Sequence, residues 1–328
     1  MSELTTVASV LSRYPVVVSR RAEPLGGAGG FSGAAFWKVE TADCTLCLRR
    51  WPPEHPSAER LASIHAVLCH VAASGFAAIP IPLRSRDGQT FVSMAGHLWE
   101  LAPWLPGIAD FHEHPTSNRL DAALAALAQF HRSAASYESR LGTPPGITSR
   151  REQLAQLCAG GANKISQAVA TIARPEFNQR AASILHWFNE QAAGMQPLLE
   201  SASRLRVSLH RCIRDIWHDH VLFDGDEVSG FVDFGAMRTD HVACDISRLL
   251  GSLVGSERAK WEQGLASYQS LRPLSADELV LVDAYDRSTV LLSGMNWLQW
   301  IAVEGREFDD HQRVLNRLDE ILHRLQQM

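Results

Sequence analysis

The chain changes character once, at Pro106-Gly107, and that change constrains its fold more than any other feature. Before it lie short runs rich in β-branched and aromatic residues: PVVVSRR (15–21), AAFWKVE (34–40), CTLCLRRW (44–51), TFVSMAG (90–96) and HLWELAPW (97–104). Runs of this kind, separated by turn residues such as Thr41-Ala42-Asp43 and Asp87-Gly88, read as antiparallel strands. After it come alanine- and leucine-rich stretches with helical spacing over 117–136, 150–172 and 177–200, and again from Asp245 to the end. Only HVLFD (220–224) and EVSGFVDF (227–234) interrupt them. The pattern predicts an α+β chain of two lobes. One spans residues 1–105 with about five strands and one main helix, and the other is larger and mainly helical over 106–328. A length of 328 residues, beyond the comfortable size of one core, agrees with this division.

Local signals refine the first lobe. Residues 3–13 read as a short helix. Ser57 can cap a second whose body, AERLASIHAVLCHVAA, ends at Gly75, and Pro80 and Pro82 forbid its continuation. The composition also excludes several classes of function. A formal charge of −5 argues against nucleic-acid binding. No stretch approaches 18 uninterrupted apolar residues, so no membrane span is expected. The N-terminus lacks an apolar signal segment, which implies a cytoplasmic chain. The six cysteines are scattered through apolar runs and read as reduced thiols without disulfides. Cys44 and Cys47 fall on opposite faces of one strand-like run, which is unsuited to metal binding.

The most informative block runs from Ile213 to Gly235. A turn at Asp224-Gly225-Asp226 folds HVLFD and EVSGFVDF into a hairpin, so Asp215 before the first strand and Asp233 after the second are expected at one open end. Two carboxylates so placed suit a site where one orients an acceptor hydroxyl and the other holds a divalent cation. A glycine cluster, Gly26-Gly27-Ala28-Gly29-Gly30-Phe31-Ser32-Gly33, lies between the first strand-like runs. By composition alone such a cluster makes a flexible surface turn.

An Asp, five residues, an apolar triplet, a turn and then Asp-Phe-Gly resembles the catalytic and metal segment of the phosphotransferase family that includes aminoglycoside, choline and homoserine kinases. The resemblance implies a protein-kinase-like two-lobed fold and ATP or GTP as donor with Mg²⁺ or Mn²⁺. It also implies a small-molecule hydroxyl or amine as acceptor. Asp215 becomes the catalytic Asp and Asp233 the metal ligand, with Asp245 bracing the loop. Gly27, Gly29, Gly30 and Ser32 fall in the phosphate-covering loop, and Arg49 takes the strand position of a phosphate-pairing lysine. The segment from Glu100 through Ala102 to Gly107 becomes an interlobe hinge whose backbone would bind adenine. His131 ends a helix and is read as structural. Trp297, Trp300 and Glu304 share a helical face in the region that lines the acceptor pocket in the family, though the pattern itself reads first as a core face with a charged rim.

Three departures stand out. His220 replaces the Asn expected as second metal ligand, and an imidazole is a poorer donor to Mg²⁺ than to softer ions. Ile213-Arg214 replaces a His-Gly. Ile64-His65 stands where a helix Glu should pair the strand cation, leaving Arg49 without a partner or with Glu59. These departures keep a second possibility in view, a catalytically impaired nucleotide-binding or scaffolding protein. A histidine-based metallohydrolase is less consistent with the chain, which has no H-E-x-x-H or comparable spacing.

Overall fold

Four of the five strand-like runs of the first hundred residues pair into one antiparallel sheet. The computed structural model describes residues 3–26, 33–308 and 310–328. In chain order its elements begin α1 (Glu3–Leu11), β1 (Glu23–Pro24), β2 (Ala35–Glu40), β3 (Thr45–Arg50), α2 (Ala58–Ala73), β4 (Val92–Met94), β5 (His97–Pro103) and α3 (Ser117–Ala135). Then follow β6 (Arg140–Gly142), α4 (Pro145–Gln156), α5 (Ala162–Ala170), α6 (Pro175–Ala202), β7 (Val207–Cys212), β8 (Val221–Asp224), β9 (Glu227–Phe231) and β10 (Arg238–Asp240). Four helices complete the chain: α7 (Ala243–Val254), α8 (Arg258–Leu271), α9 (Ala276–Leu298) and α10 (His311–Leu325). Among the described residues no helix is long and apolar enough to cross a membrane. All six cysteines are free thiols.

Two compact units emerge, Met1–Tyr137 with His218–Met237, and Glu138–Trp217 with Arg238–Met328. The first holds a five-stranded sheet in the order β1-β2-β3-β5-β4. The β2–β3 hairpin turns where Thr41 Oγ1 accepts the N–H groups of Asp43 and Cys44, a local side-chain turn. Trp37, Val39, Leu46, Leu48, Trp99 and Leu101 point to one face, where Val7, Val10 and Tyr14 close the core. Ser57 caps α2 through the Arg60 N–H, and Gly75 beyond its end has φ +97°, as the sequence predicts. PVVVSRR differs from expectation. It makes only an isolated bridge, Val18 to Thr41, because β2 ends at Glu40 and turns away. The edge strand is Glu23–Pro24 instead, where a proline lacking N–H is tolerated.

The composition change at 106 marks the end of this sheet, while the compact unit runs on. Ile108 exchanges both backbone bonds with Phe223 of β8, and Gly107 has φ +89°. A Cβ there would lie 2.5 Å from the Phe223 carbonyl oxygen, so only glycine fits. The turn of the β8–β9 hairpin is fastened to α3. Thr116 and Asn118 donate to the Asp226 carboxylate, and Arg119 Nε donates to the Gly225 carbonyl.

The second unit carries a small sheet in the order β10-β7-β6 together with α4 to α10. The helix expected over 150–172 is two helices, parted at 157–161 where Gly160 takes φ +116°. Helix α9, which packs on α6 and α7, begins with a capping box of Ser275 and Glu278.

Candidate active site

In the first unit, Asp233 is the organising residue. It follows β9 with φ +60°, a left-handed conformation unusual for a residue with a side chain. The loop around it is pinned. Val232 donates its N–H to the His220 carbonyl, and Arg60 of α2 donates to the Gly235 carbonyl at 2.9 Å. A Cβ on Gly235 would come within 2.9 Å of the Trp51 ring, so the Asp-Phe-Gly glycine is required by close approach. The Asp233 carboxylate accepts from Arg49 Nη2 at 3.0 Å and from the Gly235 N–H at 3.4 Å, and His220 Nε2 lies 3.8 Å away. Burial would raise this carboxyl, but Arg49 and His220 more than reverse that and hold it below the usual range.

Arg49 is buried, and its guanidinium lies 3.4 Å from the centroid of the Trp51 ring and 5.1 Å from that of Phe36. Its ion-pair partner is Asp233, not Glu59. The acid beside it is Glu100, its cross-strand neighbour on β5. Glu100 in turn takes a 2.6 Å hydrogen bond from His65 of α2, whose other ring nitrogen bonds Thr90. No acid on α2 pairs with Arg49 among the described contacts; the helix-to-strand contact here is the His65–Glu100 hydrogen bond, with the imidazole on α2 and the carboxyl on β5. Burial would raise Glu100, yet His65 and Arg49 hold it below the usual carboxylate range.

Glu100 and Ala102 both lie within β5, opposite Arg49 and Cys47. The Leu101 carbonyl turns away to accept from Leu83, so by strand alternation the backbone groups of Glu100 and Ala102 face β3. Gly27, Gly29, Gly30 and Ser32 lie outside the described residues. The flanking Gly26 and Gly33 have φ +57° and +71°.

Asp215 belongs to the second unit. Arg214 before it also has a left-handed backbone, φ +68°. The fully buried Asp245, at the start of α7, accepts the N–H groups of Ile213 at 2.7 Å and Arg214 at 2.6 Å, which makes it a brace for this loop. The Asp215 carboxylate pairs directly with Arg248 of α7. The Arg214 guanidinium lies 3.4 Å from a second fully buried carboxylate, Asp240. Asp240 is held by Tyr285 Oη at 2.6 Å and by the N–H groups of His241 and Gly146. Neither Arg248 nor Asp240 was legible as a site residue. The signal for Arg248 was its spacing, three residues after Asp245 and hence one turn along the same helix face. Trp297 and Trp300 pack edge to face with centroids 5.4 Å apart, and Trp297 also meets Phe308. Glu304 pairs with Arg306. Of the three, Trp297 is buried, Trp300 half-buried and Glu304 exposed.

The donor chemistry around Asp233 fits a hard divalent cation through one carboxylate. Two ligand atoms on an octahedral ion with ~2.1 Å bonds stand about 3.0 Å apart if adjacent and about 4.2 Å if opposite. The 3.8 Å between His220 Nε2 and Asp233 Oδ2 falls between these, so joint ligation requires a small side-chain movement.

The architecture is that of the two-lobed α+β proteins with a protein-kinase-like fold. Over its whole length the chain superposes on spectinomycin phosphotransferase in complex with ADP and spectinomycin, with a TM-score of 0.68, 13% identity and 99% of that chain covered. It superposes similarly on a microcompartment-associated aminopropanol kinase, with a TM-score of 0.66, 14% identity, and 99% and 97% of the two chains covered. Residues 25–278 match the model of the phosphotransferase enzyme family, and the chain belongs to that family. Among its relatives are the homoserine kinases of Agrobacterium fabrum, 26% identical over 68% of this chain, and Methylobacterium nodulans, 28% identical over 64%. The matched stretches cover 63% and 60% of those two proteins, under two thirds of either.

Proposed function

We propose that the chain transfers the γ-phosphoryl group of ATP or GTP to a hydroxyl or amine of a small molecule, with Mg²⁺ or Mn²⁺. The observation that carries this is the left-handed backbone of Arg214 and Asp233, the residue before the proposed catalytic Asp and the proposed metal ligand. Each such conformation costs about 1–3 kcal/mol and persists only where its surroundings impose it. Here Asp245 imposes one, and Arg49 with the Gly235 N–H the other. Homoserine kinases among the relatives support a small hydroxyl-bearing acceptor.

The residues take these roles. Gly27, Gly29, Gly30 and Ser32 cover the nucleotide phosphates, Arg49 pairs with a phosphate oxygen, and the Glu100–Ala102 strand leads into the segment that lies along adenine. Asp233 would hold a divalent cation, with His220 as second ligand, and such an ion would supply neutralisation of phosphate charge. Asp215 accepts a hydrogen bond from the acceptor hydroxyl and orients its oxygen toward the γ-phosphorus. The new P–O bond forms, the bond to the β-phosphate oxygen breaks with its electron pair leaving on the nucleoside diphosphate, and the hydroxyl proton passes to Asp215. By function, residues 1–105 are assigned to nucleotide binding and 106–328, which include the β8–β9 hairpin and Asp215, to catalysis and the acceptor. The free thiols suit a reducing, cytoplasmic setting.

One observation favours an impaired nucleotide-binding protein instead: Arg49 occupies an oxygen of Asp233 that a metal would use. A thermal-shift screen of nucleotides with Mg²⁺ or Mn²⁺, followed by ATP-consumption assays over a metabolite library, separates the two. Phosphotransfer predicts stabilisation by nucleotide and metal together, and nucleotide consumption with at least one acceptor. Stabilisation without consumption supports the impaired protein, and no stabilisation removes both.

A further inference from the structure

We propose that the acceptor carries a carboxylate close to its reacting hydroxyl or amine, and that Arg248 recognises it. The inference rests on the assignment of Asp215 above.

Arg248 is the immediate neighbour of the Asp215 carboxylate, and the pair is open to solvent, with side chains 31% and 45% exposed. Among the described residues, Asp215 is the only hydrogen-bond partner of the Arg248 guanidinium, and Nε is buried without one. A guanidinium has five N–H donors arranged to match a carboxylate; Nε faces inward here, and the Nη donors not given to Asp215 are the ones left for a ligand. Arg214, next to Asp215 in the chain, brings a second guanidinium, 28% exposed. Of the other nearby carboxylates, Asp240 and Asp245 are fully buried and engaged inward, Asp240 on Tyr285 and the Arg214 guanidinium and Asp245 on backbone N–H groups, while the exposed Asp219 lies beside His218. A ligand approaching Asp215 therefore meets Arg248 and the exposed edge of Arg214, and Asp215 itself is already paired.

This arrangement selects by charge. An acceptor bearing several ammonium groups would bring them against two guanidiniums. A hydroxy acid or hydroxy amino acid can place its carboxylate on Arg248 in bidentate fashion while its hydroxyl reaches the Asp215 oxygen. With hydrogen bonds of ordinary length, the two ligand groups then stand about 3–5 Å apart. That is the spacing of an α-, β- or γ-hydroxy acid and too short for a large scaffold with distant groups.

The test uses the full-length protein with ATP and Mg²⁺ or Mn²⁺, following nucleoside diphosphate release. Serine, homoserine and 4-hydroxybutyrate are compared with their carboxamides, and with choline and an aminoglycoside. At least one carboxylate acceptor should show kcat/KM about 50-fold or more above its carboxamide. In Arg248→Gln that preference should collapse, the carboxylate losing about 30-fold or more and the carboxamide changing less than about threefold. A folding defect would lower both together, so equal losses overturn the proposal. So does turnover of carboxamides or cationic acceptors at rates matching the carboxylates. Nucleotide binding, followed by thermal shift in the same samples, keeps the two levels apart. Intact ATP–metal stabilisation with no carboxylate phosphorylated sinks this inference and leaves phosphotransfer standing. Absence of that stabilisation removes phosphotransfer, and this inference with it.

Discussion

Asp245→Asn isolates what positions the loop that carries Asp215. The carboxylate is fully buried and gives one oxygen to the Ile213 N–H at 2.7 Å and the other to the Arg214 N–H at 2.6 Å. Asparagine has the same shape but only one acceptor, and its amide nitrogen then faces a backbone donor. One charge-assisted bond is lost, and a buried N–H is left unsatisfied, at about 1–3 kcal/mol. Removing a buried charge recovers part of this. A net loss of about 2 kcal/mol is expected, or a melting temperature lower by roughly 4–8 °C for a unit of this size. Because the bond lost constrains the backbone at the left-handed Arg214, displacement of Asp215 should lower kcat about 100-fold while nucleotide binding is spared. Urea titration, thermal melting and single-substrate kinetics measure all three. A variant within about 0.5 kcal/mol of wild type with unchanged kcat would refute the bracing role, since that is the range of featureless surface substitutions.

Other consequences follow from the same geometry. Asp233→Asn should abolish metal-dependent nucleotide stabilisation in a thermal-shift assay, because the carboxylate charge holds the cation; an undiminished shift would count against that assignment. If His220 ligates, Mn²⁺ should support binding better than Mg²⁺, and His220→Asn should narrow the difference; metal titrations that coincide for the two proteins remove His220 from the coordination shell. Glu278 offers an acid-stability test. Burial would raise its carboxyl, but hydrogen bonds from His241, Ser275 and Arg272 lower it from 4.5 to about 2. A depressed folded value gives stability that is present above about pH 4.5 and lost as pH falls toward 2, so Glu278→Gln should cost at most about 3 kcal/mol at pH 7 and converge with wild type near pH 2. A gap independent of pH would contradict it.

What the sequence revealed was mostly local. Ser57 and Gly75 mark the bounds of α2 because caps act within one turn, and the hairpin from Val221 to Phe231 announces itself by a turn between apolar runs. The Ser275–Glu278 capping box was equally available, three residues apart. Partnerships across the chain were not. Arg49 finds Asp233 at a separation of 184 residues, and His65 finds Glu100 at 35, and no periodicity encodes either. The small sheet escaped notice because β6 and β10 have three residues each, too few to show alternation. β7, VSLHRC, alternates well enough to have been found. The 150–172 stretch looked like one helix because its apolar spacing runs through Gly160, whose φ of +116° breaks it. PVVVSRR shows the converse, since strand propensity without a partner strand gives only a bridge.

The central claim is that Asp215 orients the acceptor for transfer and does not bind the nucleotide. It is tested most directly by comparing wild type and Asp215→Asn in one experiment, with γ-labelled ATP, Mg²⁺ or Mn²⁺ and an acceptor found by screening. The account predicts nucleotide affinity unchanged within about twofold and label transfer reduced by about 10²–10⁴-fold, the range for loss of a positioned acid–base group. Equal transfer by the two proteins would contradict it.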